Sequence, residues 1–137
     1  MKKVILLVLL ILLFGCSNNI ESDNKMNIKI TIEDKEYMLN LENNETNKKL
    51  LDILPLEINM SDLNNNEKYY YLNDVLPTNA SKIKDINKGD VYLYNNNCLV
   101  IFYKSFTTSY SYTYIGHIND LADLDNNSVL VKIEKEG

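Results

Sequence analysis

Six consecutive residues without a polar interruption, Cys98-Leu99-Val100-Ile101-Phe102-Tyr103, form the most continuously apolar run downstream of the N-terminal segment. Such a run, rich in β-branched and aromatic residues, predicts a strand covered on both faces. Before it come a turn at Lys88-Gly89-Asp90, a short strand ending at Tyr94, and a second turn at Asn95-Asn96-Asn97. The stretch Lys88 to Ile118 is therefore expected to lie at the centre of the fold, with the other segments pairing with it or closing over it.

The chain starts with Met1-Lys2-Lys3, a wholly apolar Val4 to Phe14, and Gly15-Cys16, the layout of a secretory signal. The apolar run is shorter than the about 20 residues that a spanning helix needs. Leu13-Phe14-Gly15-Cys16 resembles the lipobox of bacterial lipoproteins, in which cleavage falls before the Cys and its sulfur receives a diacylglycerol. Cleavage there would leave 122 residues, enough for one compact domain. The expected organisation is a lipoprotein signal over 1–15, lipidated Cys16 with a polar tether through residue 25, and one folded domain over 26–135. A coil as short as that tether separates its ends by about 15 to 20 Å, so the domain is expected close to a membrane, on the exported side of a bacterial cell envelope.

Loss of Lys2 and Lys3 moves the formal charge from −5 to −7, and the chain contains no Arg. An acidic chain without guanidinium groups is poorly suited to phosphate recognition, so no nucleic-acid partner is expected. Glycine is scarce, which removes Gly-rich phosphate loops, and tight turns are written with Asn instead. His117 is the only His, so a His-rich metal site is excluded and no cofactor is expected. With Cys16 acylated, Cys98 has no disulfide partner, and its apolar neighbours read it as a small core residue.

Along the domain, Ile28, Ile30 and Ile32 alternate with polar residues, and Tyr37, Leu39 and Leu41 resume that period after a polar turn at Glu33 to Glu36. Glu45 to Leu54 carries helical spacing and stops before Pro55. Leu56, Ile58 and Met60 read as a strand, and an Asn64 to Asn66 turn leads into a Tyr-rich one. Thr78 to Lys84 reads as an irregular connection with Ile83 and Ile86 beneath it. Asn119-Asp120 is expected to cap a single helical turn, and Val129, Val131 and Ile133 make the last strand.

Tyrosine density is the feature most suggestive of a site. Tyr69 to Tyr71 share one strand, and Tyr110, Tyr112 and Tyr114 share one face of another. Such residues can be barrel filling or a half-buried sheet face. They can also form a concave surface for a peptide, a carbohydrate or a small amphipathic molecule. The candidate binding face comprises Glu67, Tyr70, Lys104, Phe106, Ser109, Tyr110, Tyr112 and His117.

Met60-Ser61-Asp62 through Asn66-Glu67-Lys68-Tyr69, then Lys88-Gly89-Asp90-Val91, Cys98 to Tyr103, and Ser109 to Tyr112 with Ile115-Gly116 resemble the bacterial cyclophilin-like domain family. The resemblance implies a mainly β fold, a closed β-barrel with one or two short helices, in a family most of whose members have no assigned biochemical role. Active cyclophilins supply an Arg to the prolyl nitrogen; this chain has neither Arg nor Trp, and Lys104 as a stand-in is a mobile point charge. The expected function is a membrane-anchored, non-catalytic module binding a peptide, protein or small molecule. The alternatives are a divergent prolyl isomerase assisting exported chains, and an accessory subunit of an envelope complex.

Overall fold

The computed structural model describes residues 26–136. The expected signal segment, Cys16 and the tether lie outside the described residues. Eleven strands and one helix follow in the order β1 (Met26–Ile32), β2 (Lys35–Leu41), α1 (Glu45–Asp52), β3 (Leu56–Leu63), β4 (Glu67–Tyr71), β5 (Ser81–Lys82), β6 (Asp85–Ile86), β7 (Asp90–Tyr94), β8 (Cys98–Phe102), β9 (Phe106–Thr107), β10 (Ser111–Ile118) and β11 (Val129–Glu134). Eight of them run β2-β1-β11-β3-β4-β8-β7-β10, and β10 pairs back onto β2, so the sheet closes into an antiparallel barrel. Closure leaves no free edge among these strands.

Period-two alternation fills the barrel. Ile28, Ile30 and Ile32 of β1 point inward with Leu39 and Leu41 of β2, Ile58 and Met60 of β3, Val91 and Leu93 of β7, Leu99 and Ile101 of β8, and the apolar residues of β11. The hairpin turns place non-glycine residues at positive φ: Glu33 and Asp34 (51° and 72°), Asn64 and Asn65 (both 57°), and Asn95 (54°). Two adjacent residues at positive φ match the right-handed twist of the strands they join.

All five residues of β8 are buried, because β8 is covered from both sides. Its inner residues face the barrel core. Its outer residues Cys98, Val100 and Phe102 join a second cluster with Ile86, Tyr92 and Tyr112, against which Ile83, Phe106 and Tyr114 pack. The connections on either side of β7 and β8 thus form a partial second layer over the barrel wall. That layer includes short pairings that the sequence reading did not contain: β5 with β10, and β6 with β9.

Helix α1 begins where expected, with Asn44 accepting from Asn47 N at 2.8 Å, and ends at Asp52, two residues earlier than Leu54. Asn47 Nδ2 donates to the carbonyls of Glu42 and Ile115, both at 2.8 Å, which docks the helix on the bulge of β10 between Tyr114 and Gly116. The expected helical turn after Asn119-Asp120 does not form. Asp120 has a φ of 55°, and the Ala122 amide donates to Tyr37 Oη at 3.3 Å instead of to a helical carbonyl.

Candidate functional site

Strand parity decides what the outer face of the barrel presents. In β4, Glu67, Tyr69 and Tyr71 point outward opposite Phe102, Val100 and Cys98 of β8, while Lys68 and Tyr70 point into the barrel. Tyr92 and Tyr94 of β7, and Tyr112 and Tyr114 of β10, continue the same outer row. Neighbouring rings meet edge-on or tilted: Tyr92 and Tyr112 are 5.5 Å apart, Tyr94 and Tyr112 5.6 Å, and Phe102 and Phe106 5.4 Å. Such geometry favours aromatic pairs and stiffens the wall.

The second layer leaves part of this face open as a cavity of about 390 Å³. Five tyrosines (69, 71, 94, 110 and 112) and Phe106 surround it, with Glu67, Cys98 and Val100 from the barrel wall. Leu63, Tyr71 and Tyr110 line it and are also exposed, so they form an apolar rim. The volume falls within the range of small-molecule sites.

Glu67 is the carboxylate of this cavity, 9% exposed. Burial first, and the Asp62 charge second, push its pKa up to about 7. Among the described residues no hydrogen bond offsets either effect. The adjacent cation cannot help, because Lys68 faces the other way and is fully committed. At 0% exposure its Nζ donates to Asp62 Oδ1 at 2.9 Å and to the Asp125 and Asn127 carbonyls at 2.6 and 2.7 Å, above the ring of Tyr103. Tyr103 Oη donates to the same Asp62 oxygen at 2.5 Å. Burial works to raise the Asp62 pKa, but the hydrogen bonds from Tyr103, Lys68 and the Asn65 amide, with the Lys68 charge, hold it below the usual carboxylate value.

The other polar groups of the cavity are neutral bodies. Burial, followed by the Glu67 charge, pushes the Cys98 thiol up to about 11, so it holds its proton at neutral pH. The same two causes raise the Tyr112 phenol. Among the described residues no group of three or more His, Cys, Asp and Glu side chains is placed to hold a metal ion.

Of the residues read from sequence as a binding face, Glu67, Phe106, Tyr110 and Tyr112 meet at the cavity. Tyr70 does not, since the parity that turns Glu67 outward turns Tyr70 into the barrel core. Lys104 lies over the Tyr103 ring at 5.8 Å, outside the cavity lining. Ser109 is exposed beside the cavity without lining it. His117 sits beyond the β10 bulge, where Nδ1 is 2.9 Å from Asp90 Oδ1 and Asp90 Oδ2 accepts from Asn87 N at 2.8 Å; it fastens the corner that enters β7. Sequence reading noted Tyr69 and Tyr71 as part of the suggestive tyrosine density but left them off the candidate face, and it missed Tyr94 and the cavity-facing side of Cys98. Counting alternate residues from Glu67 would have placed the first two on it.

The profile of the Cyclophilin-like family matches residues 30–134, nearly the whole barrel. The chain belongs to that family. The cyclophilin-like barrel also resembles the solution structure of the hypothetical protein AF2241 from Archaeoglobus fulgidus, with a TM-score of 0.62 and 17% identity over 85% of this chain and 98% of that one. At that identity the likeness shows the fold alone. No curated protein matches the chain.

Proposed function

We propose that this cyclophilin-like domain is a non-catalytic binding module, held at the exported face of a bacterial membrane through acylated Cys16. The observation that carries the binding reading is the aromatic cavity of about 390 Å³ on the outer barrel wall, with its exposed rim of Leu63, Tyr71 and Tyr110. A peptide segment or a small amphipathic molecule suits a slot whose walls are rigid rings with hydroxyl tips. Phe106 and Tyr112 stand on opposite layers of the slot. Replacing either with Ala should weaken a saturable ligand about ten-fold or more, read by calorimetry with X-Pro peptides and small aromatic amphiphiles as probes. Unchanged affinity in both variants would remove the cavity from the reading.

Family membership favours a second reading, prolyl isomerisation by a folding assistant. Rotation about the peptide bond faces a barrier of about 18–20 kcal/mol, and lowering it calls for a donor to the prolyl nitrogen. The chain has no Arg, and the charged group in the cavity is Glu67. Background isomerisation rates across the X-Pro panel are therefore expected, and saturable catalysis would reverse the order of the two readings.

The anchor rests on Val4 to Cys16. In a bacterial host, the wild-type chain should partition with membranes and carry a lipid mass on a peptide beginning at Cys16, whereas Cys16→Ser should not. Equal partitioning of the two chains, with no lipid mass on Cys16, would refute the anchor.

A further inference from the structure

Glu67 is nine-tenths buried, aimed into the cavity and, among the described residues, without a hydrogen-bond donor. Among the described residues no Lys lines the cavity, and Lys68 spends its three donors on Asp62 and two carbonyls on the far side of β4. A buried carboxylate without a partner is costly, and a ligand that brings the counter-charge would offset that cost. The remaining walls are tyrosine and phenylalanine rings, which attract cations through their faces. An anionic ligand would meet repulsion from Glu67, and a neutral one could offer a hydrogen bond but no counter-charge.

We infer that the cavity takes an organic cation, a protonated amine on an apolar body, with the ammonium group donating to Glu67 and the body packed among Tyr94, Phe106 and Tyr112. This inference rests on the reading of the cavity as a ligand site. The amine could be a small molecule or the side chain of a Lys-bearing peptide; the shared chemistry is an N–H cation adjoining apolar surface.

The geometry also fixes a pH dependence. The ionisable groups around Glu67 are Asp62 of β3, Tyr69 and Tyr71 of β4, Tyr94 of β7, Cys98 of β8, and Tyr110 and Tyr112 at the start of β10. Asp62 is held below the usual carboxylate value, and Cys98 and Tyr112 are held above their own, which leaves Glu67, at about 7, to titrate near neutrality. An ammonium ion binds the carboxylate form and displaces its proton. Affinity should therefore fall at least about four-fold from pH 8 to pH 5.5, where only a few per cent of the empty cavities hold Glu67 ionised.

Three probes sharing one body test this on the full chain in detergent: 2-phenylethylammonium, 2-phenylethanol and 3-phenylpropionate, titrated by calorimetry at pH 8 and pH 5.5. At pH 8 the ammonium compound is expected to bind at least ten-fold tighter than the alcohol, and the carboxylate compound not to saturate. That preference should shrink to about two-fold at pH 5.5, and likewise in Glu67→Gln at pH 8. Folding of the variant has its own readout. A carboxyl raised from 4.5 to about 7 in the folded chain contributes stability that is fully present below its unfolded value and is lost as pH rises through the folded one. A glutamine avoids that loss, so Glu67→Gln should unfold at a higher temperature than the parent at pH 8. Alcohol and ammonium binding equally at pH 8 would overturn the cation while leaving the cavity as a ligand site. Saturation by none of the three would overturn both.

Discussion

Gly116→Ala is expected to cost about 4 kcal/mol or more, which places it among the few point changes that can unfold a domain of this size. A Cβ at this position would lie 2.2 Å from the Asn40 carbonyl oxygen, 3.0 Å from its carbon and 3.2 Å from Leu41 Cα. All three are backbone atoms of β2, so no side chain can rotate away. The clash falls on the seam that closes the barrel, where β10 meets β2 through only Gly116–Leu41, His117–Asn40 and Ile118–Leu39. Relief would mean parting the two strands and losing the adjoining bonds to Ile115 O from Glu42 N and Asn47 Nδ2, which seat the helix. Chemical denaturation of the variant should show a large fall in midpoint or no folded baseline. A midpoint equal to that of the parent would mean that the seam is looser than these distances state.

Lys68→Ala should destabilise the barrel by about 3 to 5 kcal/mol, the usual cost of removing one partner from a buried ion pair. Lys68 fastens the β3–β4 hairpin to the Asp125–Asn127 turn across the end of the barrel, and its loss takes one of the three donors of Asp62 and the Lys68 bond of two carbonyls. Lys68→Met separates charge from packing, since it restores the apolar stem but not the donors. It should recover only part of the loss, and Tyr103→Phe, which removes one hydrogen bond to Asp62, should cost less than either. Full recovery by Met would show that the stem, and not the ammonium group, stabilises this end of the barrel. The midpoints of the three variants in urea decide between these outcomes.

The fold was legible where burial follows a simple period. Cys98 to Tyr103 could be read as a doubly covered strand because two packed faces leave no polar position, and Ile28 to Ile32 as a half-buried one because a single packed face leaves every second position polar. The family resemblance carried the closure of the barrel, which alternation alone does not contain. Short pairings such as Asp85–Ile86 with Phe106–Thr107 escaped notice because two residues are too few to show a period. The turn after Asp120 misled for a different reason: the Ala122 amide is taken by a tyrosine hydroxyl 85 residues earlier in the chain, and local propensity cannot register so distant an acceptor.

The candidate site was half legible, and the misses have physical causes. Glu67, Phe106, Tyr110 and Tyr112 converge on the cavity, whereas Tyr70 shares a strand with Glu67 at odd spacing and so faces the opposite side. Lys68 went unnoticed because lysine is seldom fully buried, although its place one residue after Glu67 and two before Tyr70 puts it in phase with the core.

Locating a bound probe tests the ligand site most directly. The full chain, labelled at its aromatic rings, would be titrated with the X-Pro peptides and the phenylethyl compounds and followed by heteronuclear NMR. A saturating probe is expected to shift the ring signals of Tyr94, Phe106 and Tyr112 along one binding curve, to leave those of Tyr37 and His117 in place, and to lose that curve in Phe106→Ala. Saturable shifts that spare the three cavity rings and gather elsewhere on the barrel would contradict the assignment of the site.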